Sequence, residues 1–135
     1  MANRNAYPSM NGGLGRFYLD FLFTLNGAAS PSGTNGLGTI DGCSPTFFAS
    51  IVRTGTGVLV VTMADSWNRL VACPADVDDT PNDGAYATVG NVTNEATSTP
   101  LVFTIRTRAA AGALTDYSAR TCRVSLALRN TTAGK

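Results

Sequence analysis

The chain has 135 residues, enough for a single domain that buries its own core without a structural metal or disulfides. Its hydrophobic fraction is 44% but its charged fraction is only 14%, against about 25% in typical proteins. The net charge of +1 gives no electrostatic basis for binding nucleic acid or an anionic membrane. Histidine, the commonest general base and metal ligand, is absent. These features predict a protein that is not an enzyme and needs no cofactor.

The low content of Lys and Glu, combined with many Thr, Val and Gly residues, favours strands and turns over helices. Sparse charge is also typical of surfaces that pack against other subunits. No apolar run reaches the roughly 18 residues of a membrane span, and the first fifteen residues lack the apolar stretch of a secretory signal. We therefore expect synthesis in a cytoplasm. Three widely spaced cysteines, Cys43, Cys73 and Cys122, are expected to be free and mostly buried thiols.

Residues 1–15 show no hydrophobic period and end in a glycine cluster, which predicts an extended N-terminal arm. Such an arm either frays, as termini commonly do, or becomes ordered on a neighbouring subunit. Tyr7, Pro8 and Met10 supply apolar groups for docking in the second case. The last five residues, 131–135, read as a short polar tail.

The first strand prediction covers 16–25, where apolar and other residues alternate over ten positions. Further strands are predicted at 46–54, 58–64, 67–73, 85–92, 101–108 and 121–130, with a possible short one at 39–43. Between the second and third, the sequence R-T-G-T-G predicts a hairpin turn. The run 58–61 that follows is apolar on both faces, which predicts that this hairpin lies centrally in a sheet rather than at an edge. Seven to eight strands without a convincing helix predict an antiparallel β-sandwich or jelly-roll-like barrel over 16–130.

The loop 74–84 is the strongest candidate for a metal site. Its spaced carboxylates could collect Ca²⁺ through hard oxygen ligands from Asp76, Asp78 and Asp79. The spacing does not match an EF-hand loop, and an ordinary solvated loop explains the same residues.

The arginines of two late strands form a second candidate site. Arg106 and Arg108 share one face of their strand, while Arg123 and Arg129 share a face of another. If the two strands are neighbours, the four side chains form a basic patch for subunit or capsid docking, with arginine suited to interface ion pairs. Strand exteriors paired with nearby aspartates are the alternative.

Four aromatic residues suggest a third possibility, a stacking platform for sugars, formed by Tyr18, Trp67, Tyr86 and Tyr117. Packing in the core or in an interface explains such residues equally well.

Three sequence strings, FYLDFLFTLNGAASPSG, SPTFFASIVRTGTGVLVVTM and VSLALRN, are similar to small β-rich surface proteins of tailed-phage virions. The resemblance spans about 16–130 and extends to head domains of phage fibres. It implies a sandwich or jelly-roll subunit, assembled as a homotrimer and displayed outside a capsid or at a fibre tip. It supplies no catalytic residues.

Because the chain is short and lacks a shaft, the resemblance favours a capsid decoration (cement) protein whose partner is the major capsid protein. A fibre-tip adhesin that binds host glycans is one alternative, and another minor structural protein of the virion is the other.

Overall fold

A computed structural model describes residues 16–129, which form two antiparallel four-stranded β-sheets packed as a sandwich. The all-β prediction is therefore confirmed. In chain order the strands are β1 Arg16–Asn26, β2 Phe48–Gly55, β3 Val58–Met63, β4 Arg69–Ala72, β5 Ala75–Val77, β6 Tyr86–Thr93, β7 Val102–Arg108 and β8 Ser118–Arg129. Two single turns of 3-10 helix, Thr34–Gly36 and Pro45–Phe47, lie between β1 and β2.

Sheet 1 is built around β8, its longest strand. β1 pairs with one side of β8, with Arg16 opposite Arg129. Both β4 and β5 pair with the other side, with Arg69 opposite Arg129 and Asp76 opposite Arg123. The two short strands therefore act as one interrupted edge strand, and β8 is central.

Sheet 2 has the strand order β2-β3-β7-β6. The predicted hairpin is present, because β2 and β3 pair up to Gly55 opposite Val58 and leave a two-residue turn. The central position is confirmed for β3, which lies between β2 and β7, whereas β2 is an edge strand.

The core lies between the sheets and follows the alternation in the sequence. Sheet 1 contributes Leu19, Phe21, Phe23, Leu25, Cys122, Val124, Leu126 and Leu128, and sheet 2 contributes Ile51, Leu59, Val61, Met63, Phe103 and Ile105. Contacts between the layers are direct, since the rings of Phe21 and Phe48 lie 4.5 Å apart. Each fully buried side chain of this size contributes about 1.5–3 kcal/mol, so the core holds the two sheets together.

The β2–β3 turn is tied to the chain that leads from sheet 2 back to sheet 1. Gly57 has a φ of 63° and donates its N–H to Asp116 Oδ1 over 2.8 Å. Its carbonyl accepts from the Thr107 N–H at 2.9 Å. A Cβ at Gly57 would lie 2.6 Å from the Thr107 oxygen, so both the conformation and the close approach require glycine. Asp116 also binds Arg53 in a bidentate pair, with distances of 2.7 and 3.0 Å.

Two of the sequence predictions about local structure need correction. The loop 74–84 contains a short strand, β5, because Ala75 and Val77 alternate inward with Asp76 outward over three residues, too few for a visible pattern. The possible strand at 39–43 is reduced to one bridge, in which Asp41 and Leu22 exchange backbone hydrogen bonds of 2.9 Å.

Candidate interaction surfaces

The outer face of sheet 2 is unusually poor in charge. Its outward residues are Ser50, Val52, Val58, Val60, Thr62, Tyr86, Thr88, Gly90, Thr93, Val102, Thr104, Arg106 and Arg108. No Asp or Glu occurs in any of the four strands, and the two arginines among these outward residues lie on β7, towards one end of the face. Val52 remains 41% exposed although it is a large apolar residue. A Val- and Thr-rich face of this kind suits contact with another protein better than contact with water.

Arg106 lies flat against this face instead of extending into solvent. Its guanidinium nitrogen would be only 3.2 Å from a Cβ at Gly90, so the missing side chain at Gly90 leaves room for it. Thr104, between these two residues on the outer face, is only 3% exposed.

The outer face of sheet 1 is charged, and its charges are segregated along the strands. At one end, Arg16, Arg129 and Arg69 lie side by side on β1, β8 and β4. Like charges directly opposite one another across strands are destabilising. Arg69 is exposed and Arg16 is half-buried, whereas Arg129 is buried, so the first two form the accessible part of this row.

The other end of the same face is acidic. Asp20, Asp41 and Asp76 are all exposed there, and Arg123 is the one basic residue among them within residues 16–129. Arg123 approaches Asp76 at 4.0 Å, with side-chain exposures of 54% and 67%. A depression of about 240 Å³ opens at this end, lined by Asp20, Leu22, Gly42, Arg123 and Ser125.

The predicted basic patch does not form, because its two strands belong to different sheets. Arg106 and Arg108 lie on β7 in sheet 2, while Arg123 and Arg129 lie on β8 in sheet 1. Alternation in a sequence shows which side of a strand faces inward, but it does not identify the neighbouring strand. The row formed by Arg16, Arg129 and Arg69 was missed for the same reason: its members are far apart in sequence and are brought together only by strand register.

The carboxylates of the acidic loop are engaged with their own surroundings. Asp78 accepts from the Thr80 N–H and hydroxyl, and Asp79 accepts from the Asp83 and Gly84 N–H groups. Within residues 16–129 no group of three or more His, Cys, Asp or Glu side chains is placed to hold a metal ion. Calcium binding by Asp76, Asp78 and Asp79 stays a prediction, and the local geometry gives it no support.

Asp83 forms the second bidentate pair found within residues 16–129. Its carboxylate lies 2.6 and 2.9 Å from the guanidinium of Arg120. The hydrogen bonds from Arg120 are the main reason that the pKa of Asp83 lies well below its usual range. Arg120 also lies over the Tyr117 ring, 4.3 Å from its centre. The pair joins the acidic loop to β8.

The three cysteines are free, as predicted. Burial raises the pKa of Cys43 to about 11 and that of Cys73 to about 12. Burial likewise raises the pKa of Cys122 to about 12. A thiol with such a pKa is protonated near neutral pH, so none of the three is an activated nucleophile.

The four aromatic residues of the predicted sugar platform are dispersed. Trp67 is 9% exposed and packs against Phe17, with ring centres 5.1 Å apart. Tyr18 projects from sheet 1 and is 45% exposed, whereas Tyr86 is on β6 of sheet 2. Tyr18 and Tyr86 share no face, because their strands belong to separate sheets. Tyr117 lies just before β8 and donates its hydroxyl to the Arg108 carbonyl at 3.2 Å.

The remaining docking residues predicted from the sequence, Tyr7, Pro8 and Met10, lie outside the described residues, as does the tail 131–135. In the described part of the chain, no helix is long and apolar enough to cross a membrane. No protein-family model matches the chain, and no match is found among curated proteins or solved structures.

Proposed function

We propose that this chain is a structural protein of a phage virion, a decoration protein that binds the major capsid protein on the outside of the head. The observation that carries the proposal is the outer face of sheet 2, which presents Val and Thr with no carboxylate in any of its strands. A face of this composition is suited to burial in a protein interface. The resemblance of the sequence to virion surface proteins of tailed phages supports the same conclusion.

The chemistry of the side chains also favours a structural role over a catalytic one. The chain has no histidine, and burial keeps its thiols protonated. Among the titratable groups of residues 16–129, the shifted aspartates have a lowered pKa, which suits hydrogen-bonded and ion-paired carboxylates rather than general acids.

In this proposal, copies assemble as homotrimers through the outer face of sheet 2 and bind the capsid at many equivalent sites. Weak individual contacts then act together, so the decorated head gains stability through avidity. Location on the virion surface follows from the same proposal.

The direct test is binding to phage heads that lack this protein. Purified chain is mixed with such heads and sedimented, and the heads are then heated. The proposal predicts cosedimentation at a saturating, fixed number of copies per head and a higher disruption temperature. A failure to cosediment with heads at any concentration would contradict it.

A fibre-tip adhesin remains the second candidate because Tyr18 is exposed on the same face as Asp20, the aromatic and carboxylate pairing that sugar binding uses. A glycan array distinguishes the two: saturable binding to one class of sugar, lost in Tyr18→Ala, would favour the adhesin.

A further inference from the structure

The outer face of sheet 1 is complementary to itself, and we infer that it pairs with the same face of a second copy of this chain. The inference does not rest on the proposed function. It rests on where the charges of this face lie: Arg16 and Arg69 at one end, and Asp41 and Asp76 with Arg123 at the other, while Asp20 lies between the two ends, four residues from Arg16. The two ends are separated by about 20 Å, six residues along a strand.

A two-fold axis lying in the interface, across the strands, brings opposite charges together on both edges of the sheet. Such an axis places each strand of one copy over the same strand of the other copy, running in the opposite direction. The two β1 strands therefore face each other at one edge, and the two β4–β5 edges face each other at the opposite edge. On the β1 side, Arg16 of each copy then faces the row of Leu22 and Asp41 in the other, with Asp20 two residues nearer the axis. On the opposite edge, Arg69 faces Asp76. An axis parallel to the strands would instead superpose Arg16 on Arg69, so the charges at the two edges select the first arrangement. In that arrangement the buried Arg129 of the central strand faces the row of Arg123.

The centre of the face has complementary shape as well as charge. Tyr18 is opposite Ala127 in the strand register, and Asp20 is opposite Ser125, so one large side chain stands among small ones. In the paired arrangement, Tyr18 of each copy lies over the row that holds Asp20 and Ser125 in the other. That row borders the depression of about 240 Å³, which has room for one tyrosine side chain. Buried tyrosines are frequent anchors of protein interfaces because they bury a large area and keep a polar group.

The arrangement also supplies ionic partners for Arg16 and Arg69. Arg16 and Arg69 form no ion pair in the described structure, where the three ion pairs are Arg53–Asp116, Arg120–Asp83 and Arg123–Asp76. Residues 1–15 and 130–135 contain no Asp or Glu. Carboxylates of a second copy therefore complement charges that the side-chain carboxylates of one copy leave unpaired.

Charge reversal with complementation tests the inference. One variant carries Arg16→Glu and Arg69→Glu, and the other carries Asp20→Lys and Asp76→Lys, so that each repels itself but attracts the other. Masses are measured by sedimentation equilibrium up to millimolar concentration at low salt, for the wild type, for each variant and for their equimolar mixture. Thermal melts check that both variants fold.

The inference predicts that the wild type and the mixture each have at least twice the mass of either variant alone, because every copy gains a partner through sheet 1. Tyr18→Ala should weaken the doubling at least tenfold, and Arg106→Gln on the other sheet should leave it unchanged. Equal masses for the wild type and folded variants at every concentration would overturn the inference, as would a mixture that fails to pair. Capsid binding is not read in this experiment, so a failure here is distinct from a failure of the proposed function.

Discussion

The two outer faces of the sandwich belong to sheets of four strands each, yet they are built in opposite ways. Sheet 2 presents rows of Val and Thr with no carboxylate, and its arginine at position 106 lies flat over Gly90. Sheet 1 presents arginines at one end and aspartates at the other. An uncharged face gains stability from apolar burial, whereas a polarised face gains orientation from charge. The two proposed contacts, one through each face, would therefore depend on different physical forces.

The largest effect is expected from a charge at the centre of the sheet 2 face. Val60→Asp would bury an unpaired carboxylate in the proposed contact, which costs about 3–5 kcal/mol. The association constant for assembly should therefore fall by about 100-fold or more. Val60→Thr is the matched control, since Thr104 already lies beside it. Light scattering should give a smaller mass for the Asp variant alone. If both variants assembled equally well, the outer face of sheet 2 would not be the contact between copies.

A second large effect is expected from Asp116→Asn. This carboxylate holds the guanidinium of Arg53 and the N–H of Gly57, so its change loosens the link between the β2–β3 turn and the chain crossing to sheet 1. We expect a fall of several degrees in Tm. Asp83→Asn removes a bidentate pair whose carboxylate is 43% exposed, and it should have the smaller effect. Equal melting temperatures for the two variants would contradict this ranking.

Low pH should also reveal how much the Asp116 carboxylate contributes to stability. Hydrogen bonds from Arg53 lower the pKa of Asp116 below the value of about 3.9 for an unfolded aspartate. A carboxyl with a lowered folded pKa contributes stability that is fully present above the unfolded pKa and is lost as the pH falls through the folded one. Urea unfolding should therefore show a steep loss of stability below about pH 4, shallower in Asp116→Asn. Parallel curves for the wild type and the variant would argue against this role.

Assembly through the two faces should depend differently on salt concentration. Opposite charges at the periphery of an interface are screened as ionic strength rises, whereas apolar burial is not. Raising the salt concentration should weaken the pairing of sheet 1 several-fold and leave assembly through sheet 2 unchanged or slightly stronger. Sedimentation at two salt concentrations measures the strength of both contacts. If salt weakened assembly through sheet 2, that contact would depend on charge, contrary to this account.

The smallest effect is expected from Gly90→Ala. Its new methyl group meets only the end of the Arg106 side chain, which can move aside, so the stability should change by less than about 0.5 kcal/mol. The displaced guanidinium would roughen the sheet 2 face and weaken assembly slightly. A large loss of stability would show that Arg106 is held rigidly.

Much of the fold could be predicted from the sequence because alternation is a local property. The ten-residue pattern of β1, the R-T-G-T-G turn and the inward residues of β8 are all readable from neighbouring positions. Pairing between distant strands is not local: nothing near Arg16 indicates that it lies opposite Arg129, or that Arg69 lies beyond. The predicted patch of Arg106, Arg108, Arg123 and Arg129 failed for this reason.

The low charge of the outer face of sheet 2 could be predicted in part from the sequence. The run Val58–Val61 is apolar on both sides of its strand, which correctly indicated an interior strand. The same pattern also means that the outward positions of β3 are apolar, and this is the signal that a search for contact surfaces could have used. The sparse charge of the whole chain pointed in the same direction.

The mass of the purified protein in solution tests the central claim most directly, by light scattering after size exclusion at moderate salt, where pairing through sheet 1 is screened. Assembly through the outer face of sheet 2 predicts a trimer, three times 14.0 kDa, and its loss in Val60→Asp. A wild-type monomer at every concentration would contradict the claim that this face is a contact between copies.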